Sequence, residues 1–170
     1  GMIPCNTYEA FVEYAQNGRW TIEDLIPESK NKTITPLDLS IASTFIGNFS
    51  NYINSAALDD KISRKVKDEN VLFVGGYGEA RPIYTTDAFK IKTNEGYEHR
   101  TIHIGVDFWT LAHTAVHALE DGEVFSCHNN NHPKDYGPTL ILKHQVNDLV
   151  FYTLYGHLTK ESLADKFIGK

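Results

Sequence analysis

The sequence predicts an α+β fold, with a helical N-terminal segment ahead of an antiparallel β-sheet or sandwich. Three observations carry this. Apolar residues recur at helical spacing before residue 70, they gather into short alternating runs after it, and glycine-rich or Asp-Gly turns punctuate the second half. The expected division is therefore a helical extension over 1–70 and a β domain over 71–170.

The elements follow in order. Asn6, with Glu9 three residues on, reads as a capping box, and Tyr8, Phe11, Val12 and Ala15 recur at helical spacing. This predicts a first helix that stops near Gly18. Thr21 is placed to cap a second, short helix that ends by Pro27, because a proline ring disfavours a helical predecessor. Residues 28–36 are polar and read as a loop, whereas Leu37, Leu39 and Ile41 alternate like a short extended piece. Phe45, Phe49, Tyr52 and Ile53 return to helical spacing. Leu58, Ile62 and Val66 stand four apart among charged residues, which predicts a half-buried helix. Val71–Val74 then opens the β region. Ala115–Leu119 and Val124–Cys127 read as a hairpin turning at Asp121-Gly122. Thr139–Lys143 and Leu149–Leu158 read as another hairpin, turning across Gln145–Asp148.

Composition narrows the function. With 170 residues, 41% hydrophobic and 22% charged, the chain can build a core and is not a disordered polyelectrolyte. Its 16 basic against 22 acidic residues give a net charge of -6, which argues against nucleic acid as a partner, since phosphate contacts need a basic face. Cys5 and Cys127 form neither a CxxC pair nor a disulfide framework. No stretch approaches the about 20 apolar residues of a membrane-spanning helix. The N-terminus lacks the basic and apolar regions of a signal peptide, which points to the cytoplasm. Gly1 ahead of Met2 reads as a scar of tag removal.

Chemistry concentrates in two segments. In His103-Ile104-Gly105-Val106-Asp107, an extended chain would put His103 and Asp107 on one face, with Gly105 between them leaving the approach open. Imidazole nitrogen and carboxylate oxygen both suit zinc. In Phe151–Leu158, alternation puts Phe151, Thr153, Tyr155 and His157 on one face and Tyr152, Leu154 and Leu158 toward the other. His157, beside Gly156 at a strand end, is placed to hold or deprotonate a water. His128 and His132 fall in a polar loop without the helix and glutamate of an HExxH site. His113 and His117 read as strand residues near Asp107, and His144 as a strand-end residue. Gly75-Gly76-Tyr77-Gly78 lacks the Lys-Ser/Thr of a phosphate loop and reads as a turn with close backbone approach.

The order of these pieces resembles the lysostaphin-like zinc metallopeptidases. The resemblance covers residues 78–158, about half the chain. It runs through a Gly-x-Arg-Pro-like turn (Gly78–Pro82), a His-x-Gly-x-Asp strand (His103–Asp107) and a V-x-A-x-x-D-G-x-V hairpin (Val116–Val124). It continues through a YG strand ending in His (Tyr136–His144) and a Y-x-H-L strand (Tyr155–Leu158). The resemblance implies a β domain of barrel-sandwich hybrid type holding one zinc ion, with His103 and Asp107 as zinc ligands and His157 as the catalytic histidine. It implies hydrolysis of peptide bonds in a peptide or muropeptide substrate of the peptidoglycan type, and Tyr97 is a candidate for a hydrogen bond to the oxyanion. A narrower similarity joins Asp38–Ser40, Gly75–Arg81, Asp135–Pro138 and Phe151–Leu158 to the peptidase-like module of fusion proteins that also carry a kinase and an aminotransferase.

One departure stands beside the match. The family's H-x-H strand, which supplies the third zinc ligand, has no counterpart in the sequence. The expectation is a chain truncated at its C-terminus, with neighbouring domains in a longer protein. Zinc would then be weakly held or absent, and the peptidase incompetent as it stands. The alternative is a non-catalytic binding or regulatory module that keeps the peptidase fold.

Overall fold

The computed structural model describes residues 5–17, 19–48, 50, 55–84, 87–132 and 134–163. Its helices are α1 (Cys5–Gln16), α2 (Ile22–Leu25) and α3 (Ser55–Lys65). Its strands are β1 (Thr33–Pro36), β2 (Val71–Gly75), β3 (Glu79–Ala80), β4 (Lys90–Thr93), β5 (Gly96–His99), β6 (Ile102–His103), β7 (Asp107–Trp109), β8 (Glu123–Asn130), β9 (Gly137–Val146) and β10 (Leu149–Tyr155). The chain divides into two compact units. One is continuous, Glu28–Thr114, and the other joins Gly1–Pro27 to Ala115–Lys170. Residue 70 falls inside the continuous unit.

The continuous unit is built on Leu37, Leu39, Ile46, Leu58, Val66 and Phe73, all buried, with Ile62, Val71, Ile83 and Trp109 packed against them. The four-residue spacing of Leu58, Ile62 and Val66 does define the inner face of a helix, α3 with its C-terminal extension. The loop expected over 28–36 is corrected. Residues Pro27–Asn31 form a 3-10 turn, and β1 pairs in parallel with β2. Thr33, Ile34 and Thr35 have a strand's β-branched chemistry, and β1 lies at a sheet edge, where Pro36 can be tolerated. Leu37 and Leu39 are buried without joining a ladder. The Leu37 N–H donates to Val74 O at 2.9 Å, so the chain runs close along β2 there. Phe45 sits in a turn, while Phe49, Tyr52 and Ile53 lie outside the described residues.

In the discontinuous unit, Thr21 caps α2 as expected. Its hydroxyl accepts from the Asp24 N–H, and the Asp24 carboxylate accepts from the Thr21 N–H at 2.8 Å. Helix α1 begins at Cys5, so Asn6 lies within its first turn rather than ahead of it, and Gly18 is outside the described residues. Phe11, Tyr14 and Trp20 cluster on Phe151 with ring centroids 5.2–5.9 Å away. Tyr14 Oη and Trp20 Nε1 both donate to Glu120. The β9–β10 hairpin forms as expected and turns through Asn147 at φ 53°. The hairpin expected at Asp121-Gly122 does not form. Residues 115–119 are not a strand, and β8 pairs with β9 instead, with a bulge between Val124 and Ser126. The His117 N–H is taken by Leu25 O, and Gly122 lies so close to β9 that a Cβ there would stand 2.6 Å from Lys143 O.

The α+β class holds, but the sandwich of barrel-sandwich hybrid type is overturned. The described strands form four open sheets of three, three, two and two strands, none of them closed into a barrel or strongly curled. Closing a sheet needs more strands and a continuous stagger. Here the 115–119 run leaves its ladder, and β1 adds in parallel rather than by hairpin. Among the described residues no helix is long and apolar enough to cross a membrane.

Candidate functional site

His103 and Asp107 meet, though not through a continuous extended strand. β6 ends at His103, the chain bends at Gly105, and β7 starts at Asp107. The opposite chain is interrupted at the same level. Glu79 pairs with His103 and Gly75 pairs with Asp107, so one antiparallel register stops and resumes unchanged. Between the ladders, Gly76 (φ 103°) and Gly78 (φ 73°) adopt backbone that side chains disfavour, and the Gly78 N–H donates to His103 O at 2.8 Å.

The ring of His103 is held from one side. Its Nδ1 lies 2.9 Å from Gly76 O. A carbonyl only accepts, so Nδ1 carries a proton, and in the neutral ring Nε2 keeps its lone pair. Nε2 faces Asp107 Oδ1 at 3.6 Å, beyond hydrogen-bond range. With the ring neutral, a nitrogen lone pair and a carboxylate oxygen face each other across the gap. Gly105 flanks the gap, where a Cβ would stand 3.3 Å from Nε2.

Asp107 is held from the other side by Arg81, whose Nη1 lies 2.6 Å from Oδ2. Arg81 is 4% exposed, and its Nε donates to Glu79 Oε2 at 2.7 Å. Glu79 Oε1 in turn accepts from the Leu39 N–H at 3.3 Å. Burial by itself would lower the Arg81 pKa. The Asp107 charge and the hydrogen bonds to Glu79 and Asp107 outweigh it, so the guanidinium sits above its usual value. Two carboxylates against one guanidinium leave the cluster net negative, which favours a cation. Arg81 Nη2 is buried and has no hydrogen-bond partner among the described residues.

The other candidates are dispersed. His157 belongs to the discontinuous unit. It is exposed, at φ 55°, just past β10, and its N–H donates to Tyr136 O at 2.7 Å. Tyr97 is exposed on β5 under Lys90 Nζ. His113, His117, His128 and His132 are all exposed, and neither His113 nor His117 is in a strand. His144, expected at a strand end, is inside β9 and fully buried. Its Nδ1 meets Asp121 O at 3.0 Å, its Nε2 meets Thr153 Oγ1 at 2.7 Å, and its ring stacks on Phe151. It is a structural residue with both nitrogens used. Among the described residues no group of three or more His, Cys, Asp or Glu side chains gathers as a metal site.

The sequence reading placed Arg81 in a motif but gave it no role, and it passed over Glu79. The available signal was their spacing, since residues two apart on a strand share a face. Comparison with family models, with curated proteins and with solved structures finds no match for this chain.

Proposed function

We propose that the chain carries part of a zinc hydrolase site of the lysostaphin-like kind, acting on peptide bonds. The observation that supports it is the gap between His103 Nε2 and Asp107 Oδ1. With His103 neutral both atoms offer lone pairs, they are fixed from behind by Gly76 O and Arg81, and they stand 3.6 Å apart. The fit to zinc rests on donor chemistry, a nitrogen and an oxygen in a net negative cluster beside a glycine. His103 and Asp107 would hold the ion, and the remaining positions fall to water, substrate or a donor outside this pair. Bound zinc would supply a Lewis acid and an acidified water. In this reading His103 gives its Nε2 lone pair while Gly76 O keeps the proton on Nδ1, and Asp107 supplies the balancing charge.

Zinc uptake by the full chain and by His103→Ala tests this directly. One equivalent bound by the wild type and lost in the variant is expected. A wild type that binds no zinc at micromolar concentration sinks the proposal. His157→Ala is expected to keep the metal.

A second reading, a non-catalytic binding module, is favoured by an exposed apolar face on β8 and β10. Phe125 and Tyr152 meet edge to face at 4.9 Å, both more than half exposed, with Leu154 also exposed on β10. The readings part on metal uptake through His103, which only the first expects.

A further inference from the structure

We propose that Arg81 is the positioning residue of this metal site, holding Asp107 so that it offers a cation one oxygen and no more; the inference rests on the metal-site reading above. A carboxylate rotates broadly about its last torsion and can present one oxygen or two to an ion. Here Arg81 Nη1 takes Oδ2 at 2.6 Å, which leaves Oδ1 toward His103 Nε2. The guanidinium cannot easily move to release it. Its Nε is committed to Glu79 at 2.7 Å, Glu79 is tied to the Leu39 N–H, and the whole side chain is buried. The Gly76 turn closes over it, since a Cβ at 76 would stand 2.5 Å from Nη2 and 2.6 Å from His103 Nδ1. Arg81 thus fixes Asp107 and the Gly76 carbonyl fixes His103, on two sides of one turn.

The consequence is selectivity. Calcium takes six to eight oxygens and commonly a bidentate carboxylate, whereas zinc and cobalt accept one nitrogen and one oxygen in a four-coordinate set. A carboxylate restricted to one oxygen beside an imidazole favours the smaller ions. Lysine at 81 would keep the charge but not the planar fork that reaches Glu79 and Asp107 together.

The test uses the full 170-residue chain, with cobalt read by its visible absorption, zinc by competition against cobalt, and calcium by calorimetry. The wild type is expected to bind cobalt with the intense visible band of a four-coordinate site, to lose that band when zinc displaces cobalt, and to ignore calcium. Arg81→Lys is expected to weaken both transition ions by roughly ten- to a hundredfold, the usual effect of losing a partner that orients a ligand, and to weaken the band. The double variant Glu79→Gln/Arg81→Met removes the guanidinium together with one of its carboxylate partners, so a loss of affinity there is not the effect of two stranded charges. Circular dichroism checks that each variant folds. A folded Arg81→Lys with wild-type affinity and spectrum overturns the inference and leaves the metal site standing. A wild type that takes up neither ion overturns both. A crystal structure of the zinc-loaded wild type supplies a readout that needs no variant: both Asp107 oxygens on the metal would refute the positioning role.

Discussion

Gly76→Ala isolates the structural cost of the turn that holds the candidate site. The perturbation has two parts. At φ 103° an L-residue is strained, which costs roughly 1–3 kcal/mol. The new Cβ would also fall 2.5 Å from Arg81 Nη2 and 2.6 Å from His103 Nδ1, and forced overpacking adds roughly 1–3 kcal/mol. Neither neighbour can yield cheaply. Arg81 is buried in two charge-assisted bonds, and His103 is fixed by the carbonyl of residue 76 itself. The two together come to about 2–6 kcal/mol, centred on ~4 kcal/mol. Gly78→Ala is the control, with φ 73° but nothing within 4 Å of a Cβ, so only the strain of about 1 kcal/mol should appear. The chain has two tryptophans, Trp109 in the continuous unit and Trp20 in the other. Urea unfolding followed by Trp109 fluorescence in a Trp20→Phe background therefore reads the unit that matters. The Gly76→Ala midpoint should fall by more than 1 M, at slopes of roughly 1–3 kcal/mol per M. Equal shifts for Gly76→Ala and Gly78→Ala would refute the reasoning, because the clash would then have contributed nothing.

Thr153→Val removes the hydroxyl hydrogen-bonded to His144 Nε2 and leaves that fully buried nitrogen unpaired. A loss of about 1–3 kcal/mol is expected in urea unfolding read by Trp20, and an unchanged midpoint would contradict it. Glu120 sits below its ordinary value of 4.5, first because Tyr14 Oη donates to it and also through Trp20. A depressed carboxylate stabilises above its unfolded pKa and loses that contribution as pH falls through the folded one. Glu120→Gln should therefore be less stable than wild type at pH 7, with the gap closing below pH ~4. A gap that widens in acid would show the sign to be wrong. Gly105→Ala carries no positive-φ strain, yet its Cβ would stand 3.3 Å from His103 Nε2. Stability should stay within about 0.5 kcal/mol while zinc uptake weakens, and the reverse pattern would remove Gly105 from the site.

Legibility differed between local and long-range features. The α2 cap was legible because Thr21 and Asp24 satisfy each other within one turn. The inner face of α3 was legible because Leu58, Ile62 and Val66 repeat at one period. The alternation of Phe151, Thr153 and Tyr155 against Tyr152 and Leu154 was legible for the same reason, the first three being the more buried, but it fails past the end of β10, where His157 is exposed and Leu158 is partly buried. What failed depended on partners far along the chain. The run 115–119 has strand composition but gives the His117 N–H to Leu25, ninety-two residues earlier. β1 was hidden because its polar residues lie on an edge, where polarity does not exclude a strand.

The candidate site shows both behaviours at once. A spacing of four in one extended strand predicts that His103 and Asp107 share a face, and they do come together, but the strand is broken between them. What brings them together is a matching break in the opposite chain. The residues between Gly75 and Glu79 equal in number those between His103 and Asp107, so the ladder resumes in register on the far side. The glycine turn and the His-x-Gly-x-Asp segment, which look like separate motifs in sequence, are two halves of one interrupted ribbon. Arg81, just past β3, is the side chain that spans the break, bonded to Glu79 two residues before it and to Asp107 across it. A reading by motifs finds the ligand pair and misses this residue, because its role exists only once both halves are folded together.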